Sequence, residues 1–339
     1  GLDHLADFEL GRVMAEHKER YLVGTAKGEV EAEITGNMRF TATGREDFPA
    51  VGDWVTLLSY DPDFAIINEI LPRFSIIKRQ AVGQYGEVQV IGTNIDFALI
   101  MQSVNRDFNV NRLERYLTIC YSSNVNPIIV LTKTDLISEE ALAGLKDQIK
   151  HRIENVTLIA ISNDTKKGYE DLLQIIERGK TYCMLGSSGV GKSTLLNNLS
   201  GKSVMKTDHI SESTNKGRHV SSHRELTVLK NGGILIDNPG MREVGIADGE
   251  GGLETTYDKI VEFAQNCQFK NCSHTNEKGC AVIEAVEKGE IEENYYQNYL
   301  KLEKEKAHFE STVHEKRKKD KEFGKMVKNF KNLRNKNKI

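Results

Sequence analysis

The run Gly186-Ser187-Ser188-Gly189-Val190-Gly191-Lys192-Ser193 has the spacing Gly-x4-Gly-Lys-Ser. Glycines at these positions let backbone N–H groups turn inward around phosphate oxygens at a helix N-terminus, where the helix dipole also favours negative charge. The apolar run Thr181 to Leu185 before it and Thr194-Leu195-Leu196 after it predict the strand and helix that such a loop requires. In this reading Lys192 reaches the β- and γ-phosphates of a nucleotide, Ser193 ligates Mg2+ through its hydroxyl, and Thr194 opens the helix behind them. Downstream, the apolar run Gly233-Ile234-Leu235-Ile236 ends in Asp237-Asn238-Pro239-Gly240. By itself Asp-x-Pro-Gly is an ordinary turn. At the end of a strand, 45 residues after Lys192, it has the form of a metal-side motif: Asp237 holds Mg2+ through water, and Gly240 brings its amide to the γ-phosphate.

Thr132-Lys133-Thr134-Asp135, after the apolar run Ile128 to Leu131, resembles the Asn-Lys-x-Asp motif that reads guanine. A carboxylate accepts hydrogen bonds from guanine N1–H and N2–H together, a donor pair that adenine lacks, so Asp135 is the expected specificity residue. Thr132 replaces the usual Asn and loses an amide donor, which is expected to weaken nucleotide affinity without changing the base preferred. The competing reading is a helix-capping Asp after a strand. Ser162-Asn163, after the run Leu158 to Ile161, falls where the last base-contacting loop is expected. These base elements precede the phosphate loop, the reverse of the usual order. The motifs are therefore circularly permuted, which a fold with neighbouring surface termini permits.

Cys267-x4-Cys272-x-His274-x5-Cys280 places three thiols and one imidazole within 14 residues. This donor set satisfies tetrahedral Zn2+ with no open position, as in a structural site; buried unliganded cysteines are the alternative. Cys120 and Cys183 lie in apolar surroundings and read as core residues.

These residues need elements to hold them. From Tyr21 to about Arg79 short β-type runs alternate with Gly, Pro and Asp turns, which suits a small barrel of about five strands. From Asn94 apolar strands alternate with helical stretches (Phe97 to Met101, a helix from about Asn111, Pro127 to Thr132, Val156 to Ile161, a helix to about Arg178, Thr181 to Leu185), which predicts a parallel sheet covered by helices. The expected division is a barrel with its N-terminal extension over 1–80, a permuted α/β nucleotide-binding domain over 81–248, a zinc-bearing helical domain over 249–300, and a basic tail over 301–339. That tail carries 14 Lys/Arg against 6 Asp/Glu on a chain whose net charge is −3, so a polyanionic partner such as RNA is expected; a solvated helix end is the plainer reading. No run of about 18 apolar residues and no basic-then-apolar leader is present, so neither a membrane span nor secretion is expected, and the cytoplasm is the default location.

With its permuted motif order, preceding barrel and following Cys/His cluster, the chain resembles the circularly permuted, small-ribosomal-subunit-dependent GTPases of the RsgA (YjeQ/EngC) family over roughly residues 20–300. Val51-Gly52-Asp53-Trp54-Val55 looks like the family's barrel signature, and Gly217-Arg218-His219 with Val220-Ser221-Ser222 looks like its switch segment. The resemblance implies an oligonucleotide-binding (OB) barrel and a GTP hydrolase acting late in small-subunit maturation, activated by the subunit and its rRNA. It also implies one structural Zn2+ per chain, Mg2+ with GTP, and a monomer cycling between GTP and GDP. The usual threonine run after the His is absent here, leaving Ser221 as the candidate hydroxyl that senses Mg2+ and γ-phosphate. Met241 stands where many GTPases carry the Gln that orients the attacking water. Methionine cannot do so, which makes His219 the catalytic candidate, with an RNA- or phosphate-contacting histidine as its rival reading. A nucleotide-binding RNA scaffold or diverged paralogue with little catalysis is the alternative class, suggested by Thr132 and the altered threonine run.

Overall fold

The structure is a computed structural model that describes residues 8–17, 20–61, 63–80, 88–105, 108–201, 225–237 and 251–310. The expected switch segment with His219 and Ser221, the residues Gly240 and Met241, and residues 311–339 of the tail lie outside the described residues. Strands β1 (Glu9–His17), β2 (Arg20–Thr25), β3 (Gly28–Ile34), β4 (Trp54–Asp61) and β5 (Phe64–Ile70) form the N-terminal barrel. β1 pairs with both β2 and β4, which closes the barrel in the order β1-β2-β3-β5-β4. β3 and β5 are parallel, so the chain must cross between them, and helix α1 (Gly36–Thr41) lies in that crossover. Alternate residues point inward, and Val13, Val23, Ala32, Val55, Leu57, Ala65 and Ile67 fill the interior. This is the closed five-stranded arrangement of an OB-type barrel.

β1 precedes Tyr21, the start of the β-type pattern in the sequence. The expected alternation is hidden there because Gly11 and Arg12 are both buried, Gly11 against Val23 and Leu57 in the barrel interior and Arg12 on the opposite face of the strand. Arg12 is buried because it joins the barrel to the next domain: its Nε donates to Gly52 O (3.2 Å), and its Nη2 to Asn94 O (3.1 Å) and Thr181 Oγ1 (2.8 Å). The Val51-Gly52-Asp53 turn forms the other side of this joint. Asp53 is fully buried, accepts a bidentate pair from Arg73 (2.8 and 2.7 Å), and also accepts from Ala50 N (2.8 Å). Gly52 has φ +99°, and a Cβ there would lie 2.2 Å from Thr93 O. Gly52→Ala should therefore cost about 2–4 kcal/mol in urea unfolding, and a change below about 0.5 kcal/mol would contradict this account of the joint.

Strands β6 (Ile76–Gln80) and β7 (Val88–Thr93) form a two-stranded ribbon that leads into the second domain. There β8 (Phe97–Ser103), β9 (Asn126–Thr132), β10 (Thr157–Ala160), β11 (Thr181–Leu185), β12 (Glu225–Val228) and β13 (Ile234–Asp237) order as β10-β9-β8-β11-β13-β12. All are parallel except the edge strand β12, whose far side meets β1 through Ala15 and Glu225, so barrel and domain share one continuous sheet. The strands read as continuous apolar runs because both faces are covered. On one face Ile100, Ile129, Leu131, Cys183 and Leu185 pack against α2 (Val110–Ser122) and α3 (Glu139–Arg152). On the other, Leu99, Met101, Val130, Tyr182 and Met184 pack against α4 (Tyr169–Ile175) and α5 (Lys192–Ser200). Cys120 and Cys183 are fully buried in the core, as expected, and burial pushes the Cys183 thiol up to about 12.

Helices α6 (Gly252–Thr256), α7 (Asp258–Ala264), α8 (Ala281–Glu287) and α9 (Glu293–Glu310) form the C-terminal region. α9 continues past residue 300, and Leu302 is buried. Among the described residues no helix is long and apolar enough to cross a membrane.

Candidate nucleotide site and metal-ligand cluster

Because β8, β9, β10, β11 and β13 run in one direction, their C-terminal ends lie along one edge of the sheet. The chain leaves β8 toward β9 and β10 but leaves β11 toward β13, so β8 and β11 flank a topological switch point, where open α/β sheets bind ligands. Among the described residues, the motifs of the nucleotide reading start at this edge: Gly186 after β11, Lys133 after β9, Ser162 after β10, and Asp237 as the last residue of β13. Permutation changes the order along the chain and leaves the spatial set intact.

The loop after β11 turns through Gly189 (φ +78°) and Gly191 (φ +100°) into α5, whose first residues are Lys192, Ser193 and Thr194. Gly191 has two reasons to lack a side chain: its left-handed backbone, and Asn163 Nδ2, which would lie 2.4 Å from a Cβ. Lys192 Nζ donates to the carbonyl oxygens of Gly186 and Ser187, both at 2.7 Å, and so holds the loop in its curve. Asp237 pairs through its backbone with Glu225, beside the phosphate-loop strand; its side chain lies outside the described residues.

The elements expected to read the base are bonded directly to this loop. Thr132 is fully buried, and its hydroxyl donates to Val190 O at 2.8 Å. Asn163 Nδ2 donates to Gly191 O at 3.0 Å, while its Oδ1 accepts from Tyr169 (2.7 Å) and its backbone carbonyl from Asn198 Nδ2 (3.2 Å) and Lys166 Nζ (2.7 Å). Lys133 takes a left-handed backbone (φ 61°), and that turn delivers Asp135 to the surface beside the loop after β10. There Ser162 Oγ donates to Asp135 Oδ1 at 2.5 Å and accepts from the amides of Asp164 (3.3 Å) and Thr165 (3.1 Å). One carboxylate oxygen is thus fixed in direction while the group stays exposed, as a base-reading acceptor must be. Tyr169 and Asn198 carry no signal in the sequence, because their links to Asn163 arise only in the fold.

Farther along, Cys267, Cys272, His274 and Cys280 each bring a ligand atom into a group whose members all lie within 4.8 Å of one another. Cys267 Sγ and Cys280 Sγ lie 3.6 and 3.4 Å from His274 Nδ1 and 3.9 Å from each other. A tetrahedron of thiolate and imidazole ligands around Zn2+ has edges of about 3.5–3.8 Å, so the donor set is compatible with zinc. Burial holds His274 below its ordinary value and keeps it as the neutral imidazole that ligates metals. The loop is supported from outside: Tyr296 donates to His274 O (2.6 Å), and Cys280 caps α8 by accepting from Ile283 N (3.5 Å).

The family model described as RsgA GTPase matches residues 70–247, spanning both the base and the phosphate elements. A second, described as 50S ribosome-binding GTPase, matches 181–321 and starts at the phosphate-loop strand. The Bacteroides thetaiotaomicron protein named small ribosomal subunit biogenesis GTPase RsgA 1 is 39% identical over 96% of this chain and 91% of its own. A Lactiplantibacillus plantarum protein named small ribosomal subunit biogenesis GTPase RsgA 2 is 42% identical over 88% of this chain and 84% of its own. Among solved structures, YjeQ from Thermotoga maritima has a TM-score of 0.64 at 24% identity, covering 87% of this chain and 97% of that one. YloQ, titled a circularly permuted GTPase, has a TM-score of 0.64 at 25% identity, covering 91% and 99%. The similarity thus runs along nearly the whole chain, which belongs to the RsgA GTPase family and is a GTP-hydrolysing enzyme.

Proposed function

We propose that this GTPase acts in the cytoplasm, as a monomer, on the maturing small ribosomal subunit, and that binding the subunit and its rRNA switches on its hydrolysis. The observation that carries this reading is the reach of the similarity. Relatives named for small-subunit biogenesis match along the barrel and the C-terminal helices as well as the nucleotide domain, parts that GTP chemistry alone does not need. The alternative scaffold reading loses one of its grounds, since the Thr132 hydroxyl ties the base element to the phosphate loop. Co-sedimentation with isolated small and large subunits, in the presence of a non-hydrolysable GTP analogue, tests the partner. Binding to the small subunit is expected, and preference for the large one would overturn the assignment.

In this reading the amides of Gly186 to Gly191 receive the phosphates, Lys192 neutralises them, and Asp135 selects guanine with Lys133 and the Ser162-Asn163 loop around it. Ser193 and Asp237 would hold Mg2+, which draws charge from the β- and γ-phosphates. Gly240, Ser221 and His219 would close over the γ-phosphate.

Cys267, Cys272, His274 and Cys280 would hold one Zn2+ whose binding energy is also folding energy, about 10–16 kcal/mol in small zinc modules. Cys272→Ser should therefore strip the metal and expose residues 260–285 to hydrogen exchange. Metal analysis of protein purified without added zinc checks this, and a folded, metal-free segment would favour buried cysteines. The basic tail would add non-specific attraction to rRNA. Deleting residues 311–339 should weaken subunit binding most at low salt and flatten its salt dependence, and an unchanged salt slope would count against that role.

A further inference from the structure

A trans peptide is flat, and its C=O and N–H point to opposite sides, so a bond that fixes one residue's carbonyl also fixes the direction of the next residue's amide. Two successive peptide units of the phosphate loop are held in this way by side chains from other loops. The Thr132 hydroxyl, at the end of β9, donates to Val190 O at 2.8 Å and so fixes the Gly191 N–H. Asn163 Nδ2, after β10, donates to Gly191 O at 3.0 Å and so fixes the Lys192 N–H. Gly191 O also accepts from Leu195 N at 2.9 Å, the first bond of α5, and Asn163 takes its second lone pair. Both amides lie where the loop enters α5, a place where N–H groups have no acceptor within the helix and turn readily to an anion.

The orientation of the Asn163 amide is itself determined by its neighbours. Asn198 Nδ2, on α5, donates to the Tyr169 phenol oxygen at 2.8 Å, and the single phenol proton is donated to Asn163 Oδ1 at 2.7 Å. The NH2 group of Asn163 must then face Gly191 O. Burial holds the Tyr169 phenol above its ordinary value, so it keeps the proton it donates. The backbone of residue 163 is fixed as well, its carbonyl accepting from Asn198 Nδ2 at 3.2 Å and Lys166 Nζ at 2.7 Å. Asn163 is buried, and it stands so close to the phosphate loop that a Cβ on Gly191 would lie 2.4 Å from its Nδ2. Its side chain therefore serves the phosphate loop, although the loop that carries it is expected to contact the base.

We infer that Thr132 and Asn163 together aim the Gly191 and Lys192 amides at the β-phosphate of the nucleotide, with Tyr169 as the positioning residue that fixes the Asn163 amide. This rests on reading residues 186–193 as the nucleotide site. The two loops expected to read the base then also set the strength with which the phosphates are held.

The test compares GDP with GMP, which keeps the base and lacks the β-phosphate, on the full chain by competition against a fluorescent GDP. Asn163→Ala should weaken GDP binding about three- to twentyfold and GMP binding by less than about twofold. Thr132→Val keeps the branched shape and removes the hydroxyl, and it should weaken GDP about two- to tenfold with the same sparing of GMP. Tyr169→Phe should weaken GDP about two- to fivefold in the wild-type background and have almost no effect once residue 163 is alanine, because it acts only through that amide. Equal proportional loss of GDP and GMP in Asn163→Ala and Thr132→Val, as general disruption of the fold would give, or unchanged GDP affinity in both, overturns the inference. A Tyr169→Phe effect of equal size in both backgrounds removes Tyr169 from its positioning role. A wild-type chain that binds GDP no more tightly than GMP overturns the underlying reading of the site, and the inference with it.

Discussion

Asp135→Asn is expected to exchange guanine for xanthine nucleotides. The carboxylate offers two acceptors to guanine N1–H and N2–H, and each charge-assisted bond contributes about 1.5–3 kcal/mol. An amide keeps one acceptor and turns its other atom into a donor, which opposes guanine N2–H and matches the xanthine C2 carbonyl. Ser162 Oγ can still donate to the retained amide oxygen, so the local structure around residue 135 survives the change. GDP affinity should fall by about 10²-fold or more, and XDP affinity should rise to exceed it. Calorimetry with GDP, XDP and ADP reads both. Equal binding of ADP and GDP by the wild type would remove Asp135 from its role as specificity residue.

His219→Ala carries the second large expectation, and it begins from Met241, whose thioether can neither accept a proton from water nor align it. Some other group must orient the nucleophile, and the imidazole two residues before Ser221 is a chemically suitable one in the segment expected to cover the γ-phosphate. Subunit docking would bring it to the water, so basal turnover should be slow. The alanine variant should lose about 10²–10⁴ of the stimulated rate while GTP affinity and subunit binding stay nearly unchanged, the pattern of an interaction made only in the transition state. Wild-type hydrolysis by this variant on saturating small subunits would make His219 a contact residue.

The parts of this molecule legible in the sequence are those whose chemistry requires a fixed local spacing. The phosphate loop, the Thr-Lys-x-Asp turn and the Cys/His cluster each sit within 14 residues or fewer, and the fold brings each set together as its spacing implies. What holds those parts in register is long-range. Thr132 in place of Asn implies the loss of an amide donor, whereas its hydroxyl finds Val190 O, 58 residues on, and fastens the Thr-Lys-x-Asp turn to the phosphate loop. Asn163 falls in the expected base-contacting loop, and its side chain is bonded to Gly191 O and Tyr169. Strand β1 lacked an apolar signature because Arg12 spends its buried guanidinium on the joint between barrel and nucleotide domain. The buried bond from Asn298 Nδ2 to Glu114, which spans 184 residues, left no local trace at all.

GTP hydrolysis by this chain is expected to answer to the small ribosomal subunit. Single-turnover hydrolysis of GTP, measured with the full chain alone, with saturating purified small subunits, and with large subunits, addresses it directly. Slow turnover alone and with large subunits, rising by about 10²-fold or more with small subunits, is the expected result. Equal rates under all three conditions would contradict it.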